Sequence, residues 1–194
     1  MRRICVFCGS NQGARPEYRR AAIEFAEELA ARRIGLVFGG ASVGLMGVIA
    51  DKMVACGGEV IGVIPNMLVD KEVAHRDLTE LHEVNSMHER KALMAELSDG
   101  FATLPGGFGT LEEFTEVVSW RLLGIHQKPC GMLNVGGYFD ALLQFLDYAV
   151  VQQFIKAAHR ADIVVEDNPA RLVERLQHNF AAPNGAWLAS KEQT

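Results

Sequence analysis

Short apolar runs alternate with longer amphipathic runs along most of this chain, and that alternation limits the folds it can adopt. We assign strands to the apolar runs 3–8, 34–38, 60–64, 101–104, 130–135 and 163–165, and a fourth strand to the more polar residues 78–84 between the third and the fifth. Strands that alternate with helices build a parallel sheet covered on both faces, and strands buried in this way are continuously apolar. We therefore predict an α/β fold, a doubly wound, Rossmann-like parallel sheet of about seven strands flanked by helices.

The amphipathic runs predict helices over residues 16–33, 44–56, 86–97, 110–123, 138–154 and 168–180. Two of these runs begin with a capping box, a Ser or Thr followed three residues later by Glu, at Ser86 and at Thr110. Asn168 is expected to cap the last helix. The polar stretch 66–77 is predicted to be a loop leading to the fourth strand.

Length and charge narrow the functional classes. The 194 residues predict a single α/β domain over residues 1–180, followed by a loosely ordered tail over residues 181–194. Twenty-four Asp and Glu residues outnumber nineteen Lys and Arg residues, which disfavours nucleic-acid binding. No apolar run reaches the ~20 residues of a membrane span, and the first apolar run is too short for a signal peptide. We therefore expect a cytoplasmic protein that binds neither nucleic acid nor membrane.

The four cysteines include Cys5 and Cys8, whose C-x-x-C spacing suggests a zinc or redox site. The pair lies inside an apolar strand, where residues three apart point to opposite faces, and no second C-x-x-C completes a tetrahedral site. The histidines also lack metal-ligand spacing. We therefore predict that all four cysteines are reduced and mostly buried, and that the protein needs no metal or other cofactor.

Glycines follow the predicted strands at four turns, residues 9–10, 39–40, 105–110 and 136–137. In open α/β sheets, ligands bind outside the carboxyl ends of the strands, where glycine lets the backbone approach them closely. Turns between strands and helices are often rich in glycine, so one such turn carries little information. Four of them at one edge of the sheet favour a ligand of nucleotide size and so a nucleotide-binding domain.

The strongest candidate site is the segment 105–113, in which a glycine-rich loop runs into the start of a helix. Free N–H groups and the helix dipole favour an anion there, and Thr110 adds a hydroxyl. The segment lacks the Lys-Ser/Thr ending of a Walker loop, so ATP hydrolysis is not indicated. The turn at residues 9–13 lacks the G-x-G-x-x-G spacing of dinucleotide-binding proteins. We therefore predict a phosphate cradle, for which NAD is a disfavoured ligand.

Charged residues near this loop have two interpretations each. Glu113 matches the carboxylate of the capping box, but it also lies one turn into the helix, where it could face the ribose of a bound ligand. Arg90 and Lys91 share a helix face with Met87 and Met94. They could form an exposed cationic pair beside two core methionines, or they could line the cleft beside the phosphate loop.

The segments Ser86-Met87-His88-Glu89-Arg90-Lys91 and Pro105-Gly106-Gly107-Phe108-Gly109-Thr110-Leu111-Glu112-Glu113 together resemble the LOG ("Lonely guy") family. The similarity extends to the glycines of residues 39–47, to Trp120 and to residues 124–129. Members of this family are cytokinin riboside 5′-monophosphate phosphoribohydrolases, formerly labelled lysine decarboxylases. The resemblance implies hydrolysis of the N-glycosidic bond of adenine-type nucleoside 5′-monophosphates, such as AMP or N6-substituted AMP, to free base and ribose 5-phosphate.

The resemblance also implies roles for individual residues. Arg90 and Glu113 would form the catalytic pair, with the carboxylate near the anomeric carbon. The residues expected to contact phosphate, base or sugar are Ser10, Glu72, Met87, Lys91, Gly106, Gly107, Gly109, Thr110 and Ser119. The family forms dimers or larger oligomers, so a homo-oligomer is expected.

Two other functions remain possible at this point. A nucleotide sensor of the same fold would bind AMP-like ligands without releasing base. Lysine decarboxylation normally needs a lysine that binds pyridoxal phosphate, and the phosphate loop contains no lysine. That older label is therefore disfavoured, although Lys91 lies close by.

Overall fold

The computed structural model describes residues 1–69 and 74–181. Its strands are Arg3–Phe7 (β1), Gly35–Phe38 (β2), Val60–Pro65 (β3), Glu80–Val84 (β4), Gly100–Thr103 (β5), Cys130–Leu133 (β6) and Val164–Glu166 (β7). Every pair of neighbouring strands is parallel, and the strands form one sheet in the order β4-β3-β2-β1-β5-β6-β7. The predicted seven-stranded, doubly wound α/β sheet is confirmed.

The strand order reverses between β1 and β5. From β1 the chain builds outward to β4, then returns to pair β5 along the other edge of β1, with Ile4 opposite Gly100 and Phe7 opposite Thr103. Such a reversal opens a crevice at the carboxyl ends of the two central strands, because their connections run to opposite sides of the sheet. The crevice lies between the turn at Gly9 and the loop at Pro105.

The helices are Pro16–Ala31 (α1), Gly44–Ala55 (α2), Asn66–Val69 (α3), Met87–Glu96 (α4), Phe108–Leu122 (α5), Asp140–Val151 (α6), Ala157–Ala161 (α7) and Pro169–Ala181 (α8). The single-turn α3 lies where a loop was predicted, and the short α7 was not predicted. A 3-10 turn over Val135–Gly137 precedes α6, which makes that helix shorter than predicted. Residues 182–194, and so almost all of the predicted tail, lie outside the described residues.

The sheet is covered on both faces. Side chains of α1, α2 and α8 pack on one face with Ile4, Val6 and Cys8, whereas α4 and α5 pack on the other with Cys5 and Phe7. Cys5 and Cys8 therefore point to opposite faces, as predicted, and all four cysteines are free thiols. Three of them are buried, and Cys56 is exposed.

Two of the three predicted helix caps are confirmed. Ser86 Oγ accepts a hydrogen bond from the N–H of Glu89 at 3.1 Å, and Asn168 Oδ1 accepts one from the N–H of Arg171 at 3.1 Å. The capping box at Thr110 is wrong. Helix α5 begins two residues earlier, with Gly107 as its N-cap, so Thr110 is the third residue inside the helix.

Candidate active site

The turn after β1 and the loop after β5 contact each other directly at the sheet reversal. The N–H of Gly9 donates to the carbonyl of Pro105 at 3.0 Å. A Cβ on Gly106 would lie 2.1 Å from Thr110 Oγ1 and 2.8 Å from the nitrogen of Gly9. Only glycine therefore allows the loop to pass between the helix start and the first strand.

The backbone of the loop presents N–H groups and conceals its carbonyls. The carbonyl of Pro105 accepts from Gly9, that of Gly106 from the hydroxyl of Tyr138 at 2.6 Å, and that of Gly107 from Leu111. The first four N–H groups of α5, those of Gly107–Thr110, find no acceptor among the described residues. An anion is the natural partner for several unpaired N–H groups at a helix N-terminus.

Arg90 on α4 is held by the main chain of two neighbouring strand ends. Its Nε donates to the carbonyl of Val63 at 3.1 Å, and its Nη2 donates to the carbonyl of Gly39 at 3.0 Å. The side chain is 7% exposed, so these bonds are shielded from water. The alternative of an exposed Arg-Lys pair is therefore wrong for Arg90.

Glu113 on α5 faces Arg90, with 3.7 Å between Oε1 and Arg90 Nη1, and its side chain is 11% exposed. Because Gly107 caps α5, the capping-box role for Glu113 does not apply. The charge-pair interpretation, in which the carboxylate faces the cleft, is the one the geometry supports. Since guanidinium stays protonated in proteins, Arg90 supplies a fixed positive charge beside this carboxylate.

Two cavities adjoin the loop and share Ser10 and Gly107. The Arg90–Glu113 cavity has a volume of about 190 Å³ and is lined by Cys8, Ser10, Met46, Met87, Arg90, Gly107, Phe108, Gly109, Thr110, Glu112 and Glu113. The Tyr138 cavity, of about 270 Å³, lies along Gly9–Gly13, Gly106 and Gly107 and includes Tyr138. The loop peptides therefore separate two hollows at the carboxyl edge of the sheet.

Lys91 pairs with two carboxylates of α5, one of which, Glu112, lines the Arg90–Glu113 cavity. Its Nζ contacts Glu112 Oε1 closely and lies 2.9 Å from Glu116 Oε1, both on α5. Burial alone would lower the pKa of Lys91, but hydrogen bonds to these two carboxylates and their charges outweigh it and raise the pKa. The ammonium of Lys91 thus connects α4 to α5, and its predicted substrate contact stays a prediction.

The structure brings most of the remaining predicted residues together. Ser10, Met87, Gly107, Gly109 and Thr110 line the Arg90–Glu113 cavity, and Gly106 lines the neighbouring one. Ser119 does not join them: it lies nine residues beyond Thr110 on α5, about 13.5 Å along the axis. It borders a separate apolar cavity between α5 and α7. Glu72 lies outside the described residues.

Sequence reasoning missed three residues that the structure places at the site. Gly39 supplies a carbonyl to Arg90, Tyr138 supplies a hydroxyl to Gly106, and Cys8 lines the cavity. Burial, followed by the nearby charge of Glu113, raises the pKa of Cys8. Its thiol therefore stays protonated and is not a nucleophile. Gly39 belongs to a glycine turn identified in the sequence and Tyr138 directly follows another, but no local pattern specifies their long-range hydrogen bonds.

Among residues 1–69 and 74–181, no cluster of three His, Cys, Asp or Glu side chains could hold a metal ion. No helix in this described part is long and apolar enough to cross a membrane. The lining of the Arg90–Glu113 cavity itself supplies carboxylate, guanidinium and hydroxyl groups together with backbone N–H groups.

Residues 46–176 match a protein family described as possible lysine decarboxylase. A probable cytokinin riboside 5′-monophosphate phosphoribohydrolase of Oryza sativa subsp. japonica, named a LOG protein, is 54% identical over 176 residues, covering 91% of this chain and 78% of the rice protein. The chain belongs to the LOG family. A LOG protein of Arabidopsis thaliana, a cytokinin riboside 5′-monophosphate phosphoribohydrolase, is 50% identical over 190 residues, covering 98% of this chain and 83% of its own length. The family predicted from the two sequence motifs is confirmed.

Solved structures share the fold of this LOG protein. The molybdenum cofactor carrier protein of Chlamydomonas reinhardtii superposes with a TM-score of 0.71 at 18% identity, covering 93% of this chain and 98% of that one. The molybdenum cofactor binding protein of Rippkaea orientalis gives a TM-score of 0.68 at 20% identity, covering 91% of this chain and 96% of that one. At such low identity these matches establish the common α/β architecture alone.

Proposed function

We propose that this protein hydrolyses the N-glycosidic bond of cytokinin-type nucleoside 5′-monophosphates, AMP or N6-substituted AMP, to free base and ribose 5-phosphate. The observation that carries the proposal is the buried Arg90–Glu113 pair beside a loop whose N–H groups find no acceptor among residues 1–69 and 74–181. The relatives named as cytokinin riboside 5′-monophosphate phosphoribohydrolases support the same substrate class.

In this proposal the N–H groups of Gly107–Thr110, with the hydroxyl of Thr110, bind the 5′-phosphate. The phosphate is remote from the bond that breaks, so its binding energy positions the ribose over the carboxylate. Ser10 and Met87, which line the same cavity, contact the sugar or base.

Breaking the glycosidic bond leaves positive charge on the ribose, because the departing base takes the bonding electron pair. The Glu113 carboxylate stabilises that charge and accepts a proton from the attacking water, whose oxygen bonds to the anomeric carbon. The base acquires the balancing proton as it leaves. Arg90, fixed by the carbonyls of Gly39 and Val63, orients Glu113 through a charge-assisted contact.

Incubation with AMP and with N6-isopentenyl-AMP, followed by chromatography for free base and ribose 5-phosphate, tests the proposal. Glu113→Gln and Arg90→Met are each expected to lower kcat by ~10²–10³-fold while the circular dichroism spectrum stays unchanged. Glu96→Gln, which changes an exposed carboxylate on the same helix as Arg90, is the matched control. Nucleotide binding without base release by the wild-type protein would establish a sensor and overturn the hydrolase.

The lysine decarboxylase description of the family receives no support at this site. The nucleophilic lysine of such an enzyme must lose its proton to form a Schiff base. Lys91 is held between two carboxylates that raise its pKa, which favours the ammonium form. A Schiff-base absorbance band after incubation with pyridoxal phosphate would contradict this conclusion.

The protein is further proposed to form a homodimer or larger homo-oligomer through α6 and the turn after it. Phe145, Tyr148, Val151 and Phe154 are large apolar side chains spaced three residues apart, and they are 61%, 61%, 72% and 90% exposed. Exposed apolar surface of this kind is typical of interaction sites. Light scattering after size exclusion is expected to report an oligomer for the wild-type protein and a smaller species for Phe145→Asp.

A further inference from the structure

Tyr138 contacts the proposed phosphate-binding loop, which leads into α5, although Tyr138 itself lies outside that helix. It follows the 3-10 turn Val135–Gly137, at the carboxyl end of β6, and its hydroxyl donates to the carbonyl of Gly106 at 2.6 Å. The proposed reaction assigns Tyr138 no step. Its hydrogen bond is nevertheless the contact that occupies the Gly106 carbonyl.

The ring of Tyr138 is held from two sides. Tyr18 on α1 packs edge-on against it, with 5.4 Å between ring centroids and an angle of 75° between ring planes. Phe139, which is buried, packs in the same manner at 4.9 Å and 85°. Since such edge contacts fix the ring, its hydroxyl is presented to the loop in a defined position.

One peptide group contains the Gly106 carbonyl and the Gly107 N–H. In a trans peptide these two dipoles point in opposite directions, and no cis peptide occurs in the described part of the chain. With the carbonyl directed to Tyr138, the Gly107 N–H points away from it. Tyr138 lines the cavity named after it and is absent from the lining of the Arg90–Glu113 cavity, which Gly107 also borders.

We propose that Tyr138 is a positioning residue: its hydroxyl fixes the Gly106–Gly107 peptide so that the Gly107 N–H faces the phosphate bound beside Arg90 and Glu113. This inference rests on the proposed function. With glycine on both sides, no Cβ restricts the dihedral angles of this peptide, and its Gly107 side is open, since a Cβ there would meet nothing within 4 Å. The hydroxyl therefore supplies an orientation that local sterics leave open.

The first test measures phosphate binding without catalysis. The amide resonances of the ¹⁵N-labelled protein, Gly107 among them, are followed by NMR during titration with inorganic phosphate. Tyr138→Phe keeps the ring contacts and is expected to raise the Kd about three- to tenfold, the effect of one hydrogen bond. Tyr18→Phe removes a neighbouring hydroxyl that makes no hydrogen bond to the loop among the described residues, and it serves as the control.

The second test separates a positioning role of Tyr138 from a general loss of stability or of catalytic activity. With AMP as substrate, Tyr138→Phe is expected to raise KM by the same factor as the phosphate Kd. Its kcat is expected to stay within twofold of the wild-type value. Its unfolding midpoint is expected to stay within about 2 °C of wild type, the margin of a small stability change. A Kd for Tyr138→Phe no larger than that for Tyr18→Phe overturns the inference. If the wild-type protein releases no base, the proposed hydrolysis fails, and the phosphate titration still decides the role of Tyr138.

Discussion

Gly39 offers a test of how Arg90, the proposed catalytic arginine, is positioned. Its carbonyl accepts a hydrogen bond from Arg90 Nη2 at 3.0 Å, and a Cβ at this position would lie only 2.0 Å from the same nitrogen. The backbone of Gly39 lies outside the left-handed region, so alanine is compatible with its conformation. Gly39→Ala therefore acts on the guanidinium and not on the local backbone.

The expected effect follows from the distance. Ordinary contacts to a Cβ begin at 3.4 Å, so the guanidinium must retreat by about 1.4 Å from its present position. A displacement of ~1 Å in a catalytic constellation costs on the order of 10²-fold in rate. Loss or distortion of a charged hydrogen bond costs about 1.5–3 kcal/mol in the free energy of unfolding. We expect kcat to fall by about 10²-fold while the protein remains folded.

The assay is base release from AMP, measured by chromatography alongside urea unfolding of the same preparation. Gly58→Ala is the matched control, because its Cβ would meet the flexible end of Met53 at 2.6 Å, away from the site. A Gly39→Ala enzyme with kcat within threefold of wild type would refute the reasoning. Arg90 would then not depend on its main-chain acceptors for its catalytic position.

Three further predictions follow from other side chains. Lys91→Met should lower the free energy of unfolding by about 1–3 kcal/mol, measured by urea titration, and change KM less than threefold, because the Lys91 ammonium is paired with Glu112 and Glu116. Burial, followed by nearby cationic side chains, lowers the pKa of His126 to about 4. The unfolded chain therefore binds a proton that the folded chain does not between pH 6.5 and 4, and stability should fall on acidification by at most about 1.4 kcal/mol per pH unit from this group. His126→Phe should remove that slope from urea titrations at pH 4.5 and 6.5. An aromatic disulfide reagent should label Cys56 rapidly in the native protein and the other cysteines only after denaturation; rapid native labelling of a second thiol would contradict the burial described above.

The sequence predicted the sheet well because each strand carries its own signal. Continuous apolar runs such as Val60–Pro65 are typical of strands buried on both faces, and the helices between them have capping or periodic patterns. The edge strand Glu80–Val84 is half polar, yet it was found from its place in the alternation. Helix starts were predicted less accurately than strands. Thr110 and Glu113 match a capping box, but the helix begins earlier, at Phe108.

The motifs of the candidate site could be predicted from the sequence, but the hydrogen-bond and ion-pair partners of its side chains could not. Arg90 and Lys91 are adjacent and chemically similar, and one faces the cavity while the other pairs with α5. The acceptors that separate them, Val63 and Gly39 for one and Glu116 for the other, lie 25 or more positions away. Helical spacing fixes which side chains share a face, but long-range packing decides what that face meets.

The contact between Gly9 and Pro105 joins segments that lie about a hundred positions apart along the chain, and such distant pairings form late because closing a long loop costs entropy. During refolding from denaturant, strands β1 to β3, with the connecting helices α1 and α2, can assemble before the proposed anion pocket has formed. Recovery of phosphate affinity should therefore lag behind recovery of helical signal. Nucleotide present during refolding is expected to stabilise only the fully folded state, in which the contact between Gly9 and Pro105 has formed.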